Sequence, residues 1–210
     1  MKIVCATGNK DKLREIREIL GDITDNIISM KEAGADIDID ENGTTFEENS
    51  KIKAVEVARY IKDKDPEYAA DMIVMSDDSG LEVDALNKEP GIYSARYLGK
   101  DTSYTEKNNN IIQRLEGVPD DKRTARFVCA VSAALPNGEV LTVRGTMEGR
   151  IGYEIAGENG FGYDPIFFLP ELGKTSAEIS EEEKNELSHR GKALRMMAAK
   201  LRETGDIIDA

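Results

Sequence analysis

Two adjacent aspartates, Asp77 and Asp78, follow residues 72–76, an apolar run that ends in a serine, and precede Ser79 and Gly80. A short apolar run predicts a buried strand, and a glycine just after it predicts a turn. The pattern places two carboxylates at the open end of a sheet, where strands of α/β proteins present charged side chains. Neighbouring carboxylates repel unless a cation or a shared proton holds them, so the pair indicates a Mg²⁺ site or a general base. A solvated Asp-Ser-Gly turn is the alternative that this segment alone leaves open.

The first half of the chain alternates strand and helix signals. Residues 2–6 predict a buried strand, a glycine turn follows, and Lys10–Leu20 carries apolar residues on one helical face. Ile27-Ile28 predicts a second short strand. Thr45 and Glu48 have capping-box spacing and predict the start of a helix that runs to about residue 62. Strand, turn and helix in this order begin an α/β fold.

The second half mixes a hairpin with helices. The alternating runs 124–135 and 139–148 are joined by Pro-Asn-Gly, which predicts an antiparallel hairpin. Shorter signals predict helices from Ser103 to Glu116, from Ser180 for one turn and from Ser188 to Glu203, and a strand at Ile166–Phe168. The sequence predicts one α/β domain, residues 1–210, with a long mixed central sheet flanked by helices. We expect two lobes with a substrate cleft between them, the hairpin and residues 151–170 forming the second lobe.

Composition narrows the partners and the compartment. The net charge of -13 argues against nucleic acid and anionic membranes, which attract basic proteins. A small polyanionic substrate requires a metal and a local group of lysines and arginines to overcome that charge. Cys5 and Cys129 lie in apolar runs and read as reduced, buried thiols. Neither a signal peptide nor a membrane-spanning run is recognisable, so we expect a cytoplasmic protein.

Three segments in the first half carry candidate ligand-binding residues. Thr7–Lys12 joins the first strand to the first helix, where backbone amides and a lysine attract phosphate, although the spacing of a Walker loop is missing. Lys53 lies in line with Asn49 on the long helix, where a lysine can reach phosphates while the helix packs on the core. Glu41 ends an acidic run and is a possible metal ligand. An ordinary strand-to-helix turn, a solvated helix face and a solvated charge run are the respective alternatives.

The second half carries candidates for pairing and for base recognition. Arg96 follows a Pro-Gly turn and can pair with Asp77 or an oxyanion, or simply brace the acidic strand. Phe161, between two glycines, can stack on a planar base, and Asp164 can accept a hydrogen bond from it; a tight aromatic turn is the alternative. Three further side chains lie around the start of the last helix and can donate to a carbonyl oxygen of a base: Lys184, His189, which is the single histidine, and Arg190.

Six motifs in order resemble the inosine triphosphate pyrophosphatase family in its bacterial form. They span nearly the whole chain and comprise Thr-Gly-Asn-x-x-Lys at 7–12, Thr-Phe-x-Glu-Asn at 45–49 with Lys53, Asp-Asp-Ser-Gly-Leu at 77–81, Pro-Gly-Ile-Tyr-Ser-Ala-Arg-Tyr at 90–97, Phe-Gly-Tyr-Asp-Pro-Ile-Phe at 161–167 and Ser-His-Arg-Gly at 188–191. One departure is visible at Asn87–Glu89, where the family tends to have glycine.

The resemblance implies an α/β/α fold with two lobes, a homodimer and dependence on Mg²⁺. It also implies roles for individual residues. Glu41 and Asp78 resemble the metal ligands, and Asp78 the acceptor of a proton from water, with Asp77 supporting it; Asn49 and Arg96 are further supporting residues. Ser79 and Lys53 resemble substrate contacts. The phosphate segment corresponds to Thr7, Gly8, Asn9, Lys10, Asp11 and Lys12, and the base pocket to Phe161, Gly162, Tyr163, Asp164, Lys184, His189 and Arg190.

These roles imply hydrolysis of ITP, dITP and XTP between the α- and β-phosphates, giving a nucleoside monophosphate and pyrophosphate. Lys12 and Lys53 are expected to stabilise charge on the leaving pyrophosphate. Such an activity removes deaminated purines from the nucleotide pool. Two alternatives remain open at this point: a pyrophosphatase for other modified nucleotides, and a nucleotide-sensing module that binds without turnover.

Overall fold

The computed structural model describes residues 1–21 and 23–205. Within them, seven strands form one sheet in the order β2-β1-β3-β4-β5-β6-β7. The strands are β1 Lys2–Cys5, β2 Ile27–Ser29, β3 Met72–Val83, β4 Thr124–Ala134, β5 Val140–Ile151, β6 Phe167–Leu169 and β7 Lys174–Thr175. The helices are α1 Lys10–Leu20, α2 Phe46–Lys64, α3 Pro66–Ala69, α4 Tyr104–Arg114, α5 Glu181–Leu187 and α6 His189–Glu203.

The sheet is mixed, as predicted. Strand β1 pairs in parallel with β2 and with β3, whereas β6 pairs antiparallel with β5 and with β7. Strands β4 and β5 are neighbours, and backbone hydrogen bonds link Leu135 to Glu139 at one end and Arg123 to Ile151 at the other. This pattern confirms the predicted hairpin. The α/β class with a mixed sheet flanked by helices is therefore confirmed.

The chain divides into two compact units. The first comprises Met1–Asp78, Cys129–Gly145 and Arg190–Ala210, and the second comprises Ser79–Val128 and Thr146–His189. The hairpin does not belong to the second unit as a whole, which differs from our expectation. Its turn end packs in the first unit because Val131, Ala133 and Val143 join the apolar core there.

The first unit has apolar layers on both faces of its strands. On one face, α1 and α6 contribute Ile16, Leu20, Leu194 and Met197 to a core with alternate strand residues. On the other, α2 and α3 contribute the apolar residues Ala54, Val57, Ile61 and Ala69. The strands between them are covered on both sides, which explains why they read as continuous apolar runs. No helix in the described part of the chain is both long enough and apolar enough to cross a membrane.

The second unit has its own core around α4 and the far ends of β3, β4 and β5. Ile111 and Leu115 contribute from the α4 segment, and both are fully buried. They pack with Phe127, Phe167 and other apolar residues. Helix α4 begins with a complete capping box at Ser103 and Glu106, as its spacing predicts. The helix is thus fixed at its start by hydrogen bonds and along its length by packing.

Candidate active site

The two aspartates lie within a strand, which corrects the prediction of a turn. Strand β3 continues through Ser79 and Gly80 to Val83. Asp77 is 1% exposed and Asp78 is 8% exposed, so the alternative of a solvated turn is wrong. Aspartate and glycine are poor strand formers, but pairing within the sheet and neutralisation by nearby cations outweigh that preference here.

Asp77 is held by two cations. Lys12 Nζ on α1 lies 3.0 Å from Asp77 Oδ2, and Arg190 donates to the same oxygen from Nη2 at 3.1 Å and from Nε at 3.2 Å. Burial raises the pKa of this carboxyl, but the charges of Lys12, Arg190 and Lys53 outweigh burial and lower the pKa below its usual range. Asp77 is therefore a fixed anion at neutral pH.

Arg190 is committed to carboxylates in the first unit. Its guanidinium bonds both Asp77 and Glu15 of α1, and its side chain is 2% exposed. Burial opposes its charge, yet Asp77 and Glu15 raise the pKa of Arg190 above its usual value. In the structure, Arg190 therefore fixes the carboxylate of Asp77. Glu15, which the sequence reading missed, lies three residues after Lys12 on the same helical face.

Asp78 has a different environment from its neighbour. Lys53 Nζ on α2 lies 3.7 Å from Asp78 Oδ1 and 2.8 Å from Glu41 Oε2. Asn49, one helical turn before Lys53, hydrogen-bonds the Asp78 carboxylate. Burial raises the pKa of Asp78, and the negative charge of Glu41 raises it further. The positive charges of Lys53 and Lys12 lower it, but not enough to cancel the increase, so the pKa of Asp78 lies above its usual value. The pKa values of the two adjacent carboxyl groups are thus shifted in opposite directions, that of Asp77 down and that of Asp78 up.

Lys53 is the cation shared by this group of carboxylates. Burial lowers its pKa, but the charges of Asp78, Asp77 and Glu41 more than compensate, and the pKa of Lys53 is raised. Its side chain keeps 12% exposure, and that of Lys12 keeps 16%. The Lys53 ammonium therefore stays charged, and both lysine side chains retain some access for an anionic ligand.

A close contact fixes the loop that carries Glu41. Asn49 Oδ1 accepts a hydrogen bond from Gly43 N at 2.8 Å. A Cβ atom at position 43 would lie 2.7 Å from that same oxygen, so only glycine fits without displacement. Thr45 caps α2 by accepting from Glu48 N at 3.1 Å, as predicted. The loop, the cap and the helix therefore bring Glu41 to Lys53.

The turn at Thr7–Lys12 is an Asn-capped helix start. Asn9 Oδ1 accepts from Asp11 N at 2.9 Å and from Lys12 N at 3.2 Å, while Asn9 N donates to Thr7 Oγ1. Two of the amides expected to face phosphate are thus already satisfied by the cap. Gly8, Asn9 and Lys10 are exposed. Through Lys12, this turn places one ammonium group beside Asp77.

A chain of buried hydroxyl groups lies behind the aspartates and was not predicted. Ser50 Oγ lies 2.7 Å from Ser132 Oγ, which lies 2.9 Å from Thr142 Oγ1. Ser76 donates to the backbone oxygen of Ser50. These bonds tie α2 to β3, β4 and β5. Serines in strand-like runs carry no sequence signal for such a contact, since their partners come from distant segments.

The two cysteines are buried in the first unit, as expected. Cys5 and Cys129 are both 0% exposed, and Cys129 Sγ lies 3.9 Å from Asp77 Oδ2. Burial, with a further contribution from the charge of Asp77, raises the pKa of each thiol to about 12. Both groups are therefore protonated thiols at neutral pH.

A second group of candidate residues meets in the second unit. Lys184 Nζ lies 2.8 Å from Asp164 Oδ2 and 4.6 Å from the ring centroid of Phe161. Phe161 N donates to the same Asp164 oxygen at 2.8 Å. Lys184 and Asp164 are 4% and 2% exposed, which makes this a buried ion pair beside an aromatic ring. The Phe161 ring supplies a planar hydrophobic face, and the Lys184–Asp164 pair supplies polar groups beside it.

The remaining predicted residues of the second unit have structural partners. His189 stacks on Phe127, with ring centroids 4.9 Å apart. Tyr163 donates through its hydroxyl to Ser94 O at 2.7 Å, and burial raises its pKa beyond its usual value. Arg96 is exposed and lies over the ring of Tyr93 at 5.0 Å. Ser79 is half-buried next to Asp78 along β3.

The family departure at Asn87–Glu89 coincides with unusual backbone angles. Asn87 and Lys88 have φ values of 54° and 69°, in the region that glycine adopts most easily. Lys88 Nζ lies 2.7 Å from Asp84 Oδ1, an ion pair that a glycine cannot make. The loop therefore keeps a glycine-like conformation with other side chains.

Oxygen ligands suited to a divalent cation are present around Lys53. Glu41 and Asp78 converge on its ammonium group, and carboxylates are the protein ligands that Mg²⁺ uses. No group of three or more acidic, histidine or cysteine side chains positioned for a metal occurs in residues 1–21 and 23–205. Mg²⁺ in phosphate-handling sites commonly uses one or two carboxylates plus substrate phosphates. The residues fit that pattern.

Known proteins with similar sequences share one family with this chain. The profile of the Ham1 family matches residues 3–200. The chain belongs to the Ham1 family. A dITP/XTP pyrophosphatase of Clostridium perfringens is 47% identical to this family member over 201 residues, covering 96% of this chain and 97% of the relative. A dITP/XTP pyrophosphatase of Exiguobacterium sibiricum is 48% identical with the same coverage. The resemblance inferred from the six motifs is confirmed.

Solved structures of Ham1 proteins share the fold. The Ham1 protein of Staphylococcus aureus is 39% identical, with a TM-score of 0.83 over 97% of this chain and 100% of that chain. A structure from Mycobacterium abscessus described as nucleoside-triphosphatase / dITP/XTP pyrophosphatase is 36% identical, with a TM-score of 0.71 over 94% of this chain and 98% of that chain. The fold of this Ham1 family member therefore matches its relatives over almost the entire chain.

Proposed function

We propose that this Ham1 family member hydrolyses noncanonical purine nucleoside triphosphates, namely ITP, dITP and XTP, to the nucleoside monophosphate and pyrophosphate. One observation carries the chemistry: adjacent carboxyl groups whose pKa values shift in opposite directions beside two half-buried lysines, Lys12 and Lys53. A pair of this kind separates a fixed anion from a group that can take up a proton. Relatives named dITP/XTP pyrophosphatase support the substrate class.

Asp78 is the proton acceptor in this proposal. Its raised pKa makes it a stronger base than an exposed aspartate, and it remains partly accessible at 8% exposure. Asn49 and Lys53 hold its carboxylate from α2. Asp78 orients a water molecule toward the α-phosphate and accepts its proton as the bond to the β-phosphate breaks.

Lys12 and Lys53 stabilise the charge that develops on the leaving pyrophosphate. Asp77 and Arg190 support this by keeping Lys12 in place, since Lys12 pairs with Asp77 and Arg190 fixes that carboxylate. A preorganised ammonium requires no rearrangement when charge moves onto the phosphate oxygens. Ser79 and the turn residues Thr7–Asp11 remain proposed phosphate contacts.

Glu41 and Asp78 would hold Mg²⁺, which offsets the charge of the triphosphate when bound. This resolves how a chain with net charge -13 accepts a polyanion. Because Lys53 lies between the two carboxylates, it keeps them close together despite their repulsion. The side chains are thereby gathered in advance for a cation.

The residues proposed for base recognition are Phe161, Gly162, Tyr163, Asp164, Lys184, His189 and Arg190. The Phe161 ring can stack on a purine, and the Lys184 ammonium can donate to a 6-oxo group. An adenine offers an amino group at that position, which cannot accept such a hydrogen bond. Buried donors left without an acceptor cost binding energy, so the oxo base is favoured.

We further propose a homodimer in the cytoplasm that acts on free nucleotides and binds neither nucleic acid nor membrane. The acidic charge is the physical support for the last two statements. The cytoplasmic location follows from the location of the nucleotide pool that such an enzyme serves.

Product analysis tests the proposed reaction. Pyrophosphate and orthophosphate release should be measured from ITP, XTP, dITP, ATP, GTP and dTTP, with and without Mg²⁺. We expect pyrophosphate, dependent on the metal, from the first three substrates, and far less from ATP, whose base has an amino group at position 6. Orthophosphate would place the cleaved bond elsewhere, and a preference for modified pyrimidines would favour the broader pyrophosphatase. Tight binding without release of either product would favour a nucleotide sensor.

A further inference from the structure

Helix α4 contacts the turn that contains Phe161 and Asp164. Asn108 of α4 is 2% exposed, and its Nδ2 donates a hydrogen bond to Gly162 O at 3.1 Å. Gly162 has a φ of +70°, so its peptide is held in a conformation that most residues avoid. The hydrogen bond from Asn108 thus fixes the carbonyl in the middle of the turn.

Tyr104 contacts the same turn from one helical turn earlier. Its ring meets that of Tyr163 edge to face, with centroids 5.4 Å apart. A Cβ atom built on Gly162 would lie 3.6 Å from the Tyr104 ring. Residues four apart on a helix lie on one face, so Tyr104 and Asn108 together form a surface against the turn.

The other side of this turn carries the residues proposed to recognise the base. Asp164 accepts from Phe161 N and pairs with Lys184, so the two ends of the turn are joined through one carboxylate oxygen. A shift of the Gly162 peptide would move Phe161 directly, because the two residues are consecutive. It would move the Asp164 carboxylate through the same short loop.

The burial of Asn108 is costly for stability alone. Its Oδ1 is buried and has no hydrogen-bond partner among the described residues. A buried acceptor without a donor loses its solvation, whereas an apolar side chain of similar volume would not. Polar groups that are buried at such a cost are concentrated where a structure serves function. The donor end of Asn108 is the part that the turn uses.

We propose that Asn108 is a positioning residue for base selectivity. It holds the Gly162 carbonyl and thereby sets the Phe161 ring and the Asp164–Lys184 pair at the position that a 6-oxo purine requires. This inference rests on the proposed function, and it adds a residue that acts through the turn and does not touch the substrate.

The test substitutes the donor. Asn108→Asp places a carboxylate oxygen where the amide donated to Gly162 O, and Asn108→Leu removes the donor at similar volume. In both variants, we expect KM for dITP to rise about tenfold with kcat changed less than about twofold, as expected for loss of one hydrogen bond that orients a binding group. The ratio of kcat/KM for dITP over dATP should fall by a similar factor.

Asn109→Asp is the matched control, because Asn109 is the exposed neighbour on the same helix. It should leave both KM and the selectivity ratio unchanged. A purely structural role for Asn108 would lower the active fraction equally for both substrates and leave the ratio intact, which would overturn the inference. If Asn108→Asp does not fold, Asn108→Leu decides the question. If the unsubstituted protein releases no pyrophosphate from dITP, the proposed function is overturned, and this inference with it.

Discussion

At the scale of single residues, the main feature is the contrast between Asp77 and Asp78. They are consecutive in one strand, so their side chains point to opposite faces of the sheet. Asp77 pairs with Lys12 and Arg190. Asp78 contacts Lys53 and Asn49 and is also exposed to the negative charge of Glu41. The alternation of a strand therefore converts two identical residues into groups with different acid–base properties.

Replacement of the proposed base should separate activity from stability. We expect Asp78→Asn to lower kcat by about 10³-fold, the scale of lost general-base catalysis. The free energy of unfolding should change by less than about 1 kcal/mol, because burial already disfavours the ionised form and the amide is a neutral isostere. Steady-state kinetics and urea denaturation measure the two quantities.

The control for that substitution is Asp71→Asn, since the Asp71 side chain is 85% exposed. It makes the same chemical change just before β3 and should leave both quantities unaltered. Retention of more than a tenth of the activity in Asp78→Asn would contradict the assignment of the base.

The sequence identified the types of residue at the site better than their partners. Asp78, Lys53 and Glu41 are brought together as the motifs predicted. Arg190 was grouped with His189 because they are adjacent in the sequence, yet it pairs with Asp77 and Glu15. Two adjacent residues at a helix start do not show towards which neighbours each side chain points. The carboxylates that pair with Arg190 come from segments more than a hundred residues away in the sequence.

At the scale of secondary structure, helix starts were predictable and the extent of β3 was not. The caps at Thr45, Ser103 and Ser180 are local interactions, and all three are found. Strand β3 runs seven residues past the predicted end at residue 76. Its second half depends on pairing and on cations supplied by other segments, which no local pattern records.

The capping box of α4 gives a stability prediction for this element. Ser103 Oγ accepts from Glu106 N at 3.2 Å, and Glu106 Oε2 accepts from Ser103 N at 3.1 Å. We expect Ser103→Ala to lower the free energy of unfolding by about 1 kcal/mol, because the Glu106 amide at the helix start loses its acceptor and the Ser103 hydroxyl no longer donates to the Glu106 carboxylate. Urea denaturation with Thr105→Ala, an exposed neighbour, as the control measures this. An equal midpoint for Ser103→Ala and Thr105→Ala would show that the box does not contribute.

The ion pairs of Arg126 on β4, with Asp84 just after β3 and Glu148 on β5, predict a pH-dependent stability. Arg126 lies 2.9 Å from Asp84 Oδ1 and 3.1 Å from Glu148 Oε2. Hydrogen bonds from Arg126 and Lys88 lower the pKa of Asp84 below its usual range. A depressed folded-state pKa adds stability above the unfolded-state pKa, and this stability is lost as pH falls through the folded-state value.

Asp84→Asn should therefore be less stable than the unsubstituted protein by about 1 kcal/mol at pH 7, a modest value because the carboxyl is 32% exposed and partly screened. The difference should shrink steadily as the pH falls below about 4, the ordinary aspartate range. Urea denaturation between pH 7 and the acid limit measures it, with the exposed Asp101→Asn as the control. A difference that stays constant with pH would exclude this linkage.

At the scale of the whole molecule, the fold class followed from the order of strand and helix signals, but the division of the chain did not. The hairpin strands are each long enough to take part in both units, so residues 129–145 belong to one and the flanking residues to the other. A sequence pattern shows that a hairpin forms and leaves open which core receives each end of it. The cleft between two lobes stays a prediction.

The oligomeric state is a testable property at this scale. The family resemblance predicts a homodimer, so light scattering on a size-exclusion column should give twice the chain mass of 23.2 kDa. Added salt should not reduce this mass, because salt screens the repulsion between subunits that each carry a charge of -13. A mass of one chain at micromolar concentration would contradict the prediction.

The two buried thiols bear on the conditions under which such an enzyme is needed. Nitrosating and oxidising agents, which damage purines, also attack cysteine, and they do so through the thiolate. With a pKa of about 12, roughly one in 10⁵ of the Cys5 or Cys129 side chains is a thiolate at pH 7. Reagents that react through the thiolate should therefore leave Cys5 and Cys129 unlabelled until the protein unfolds.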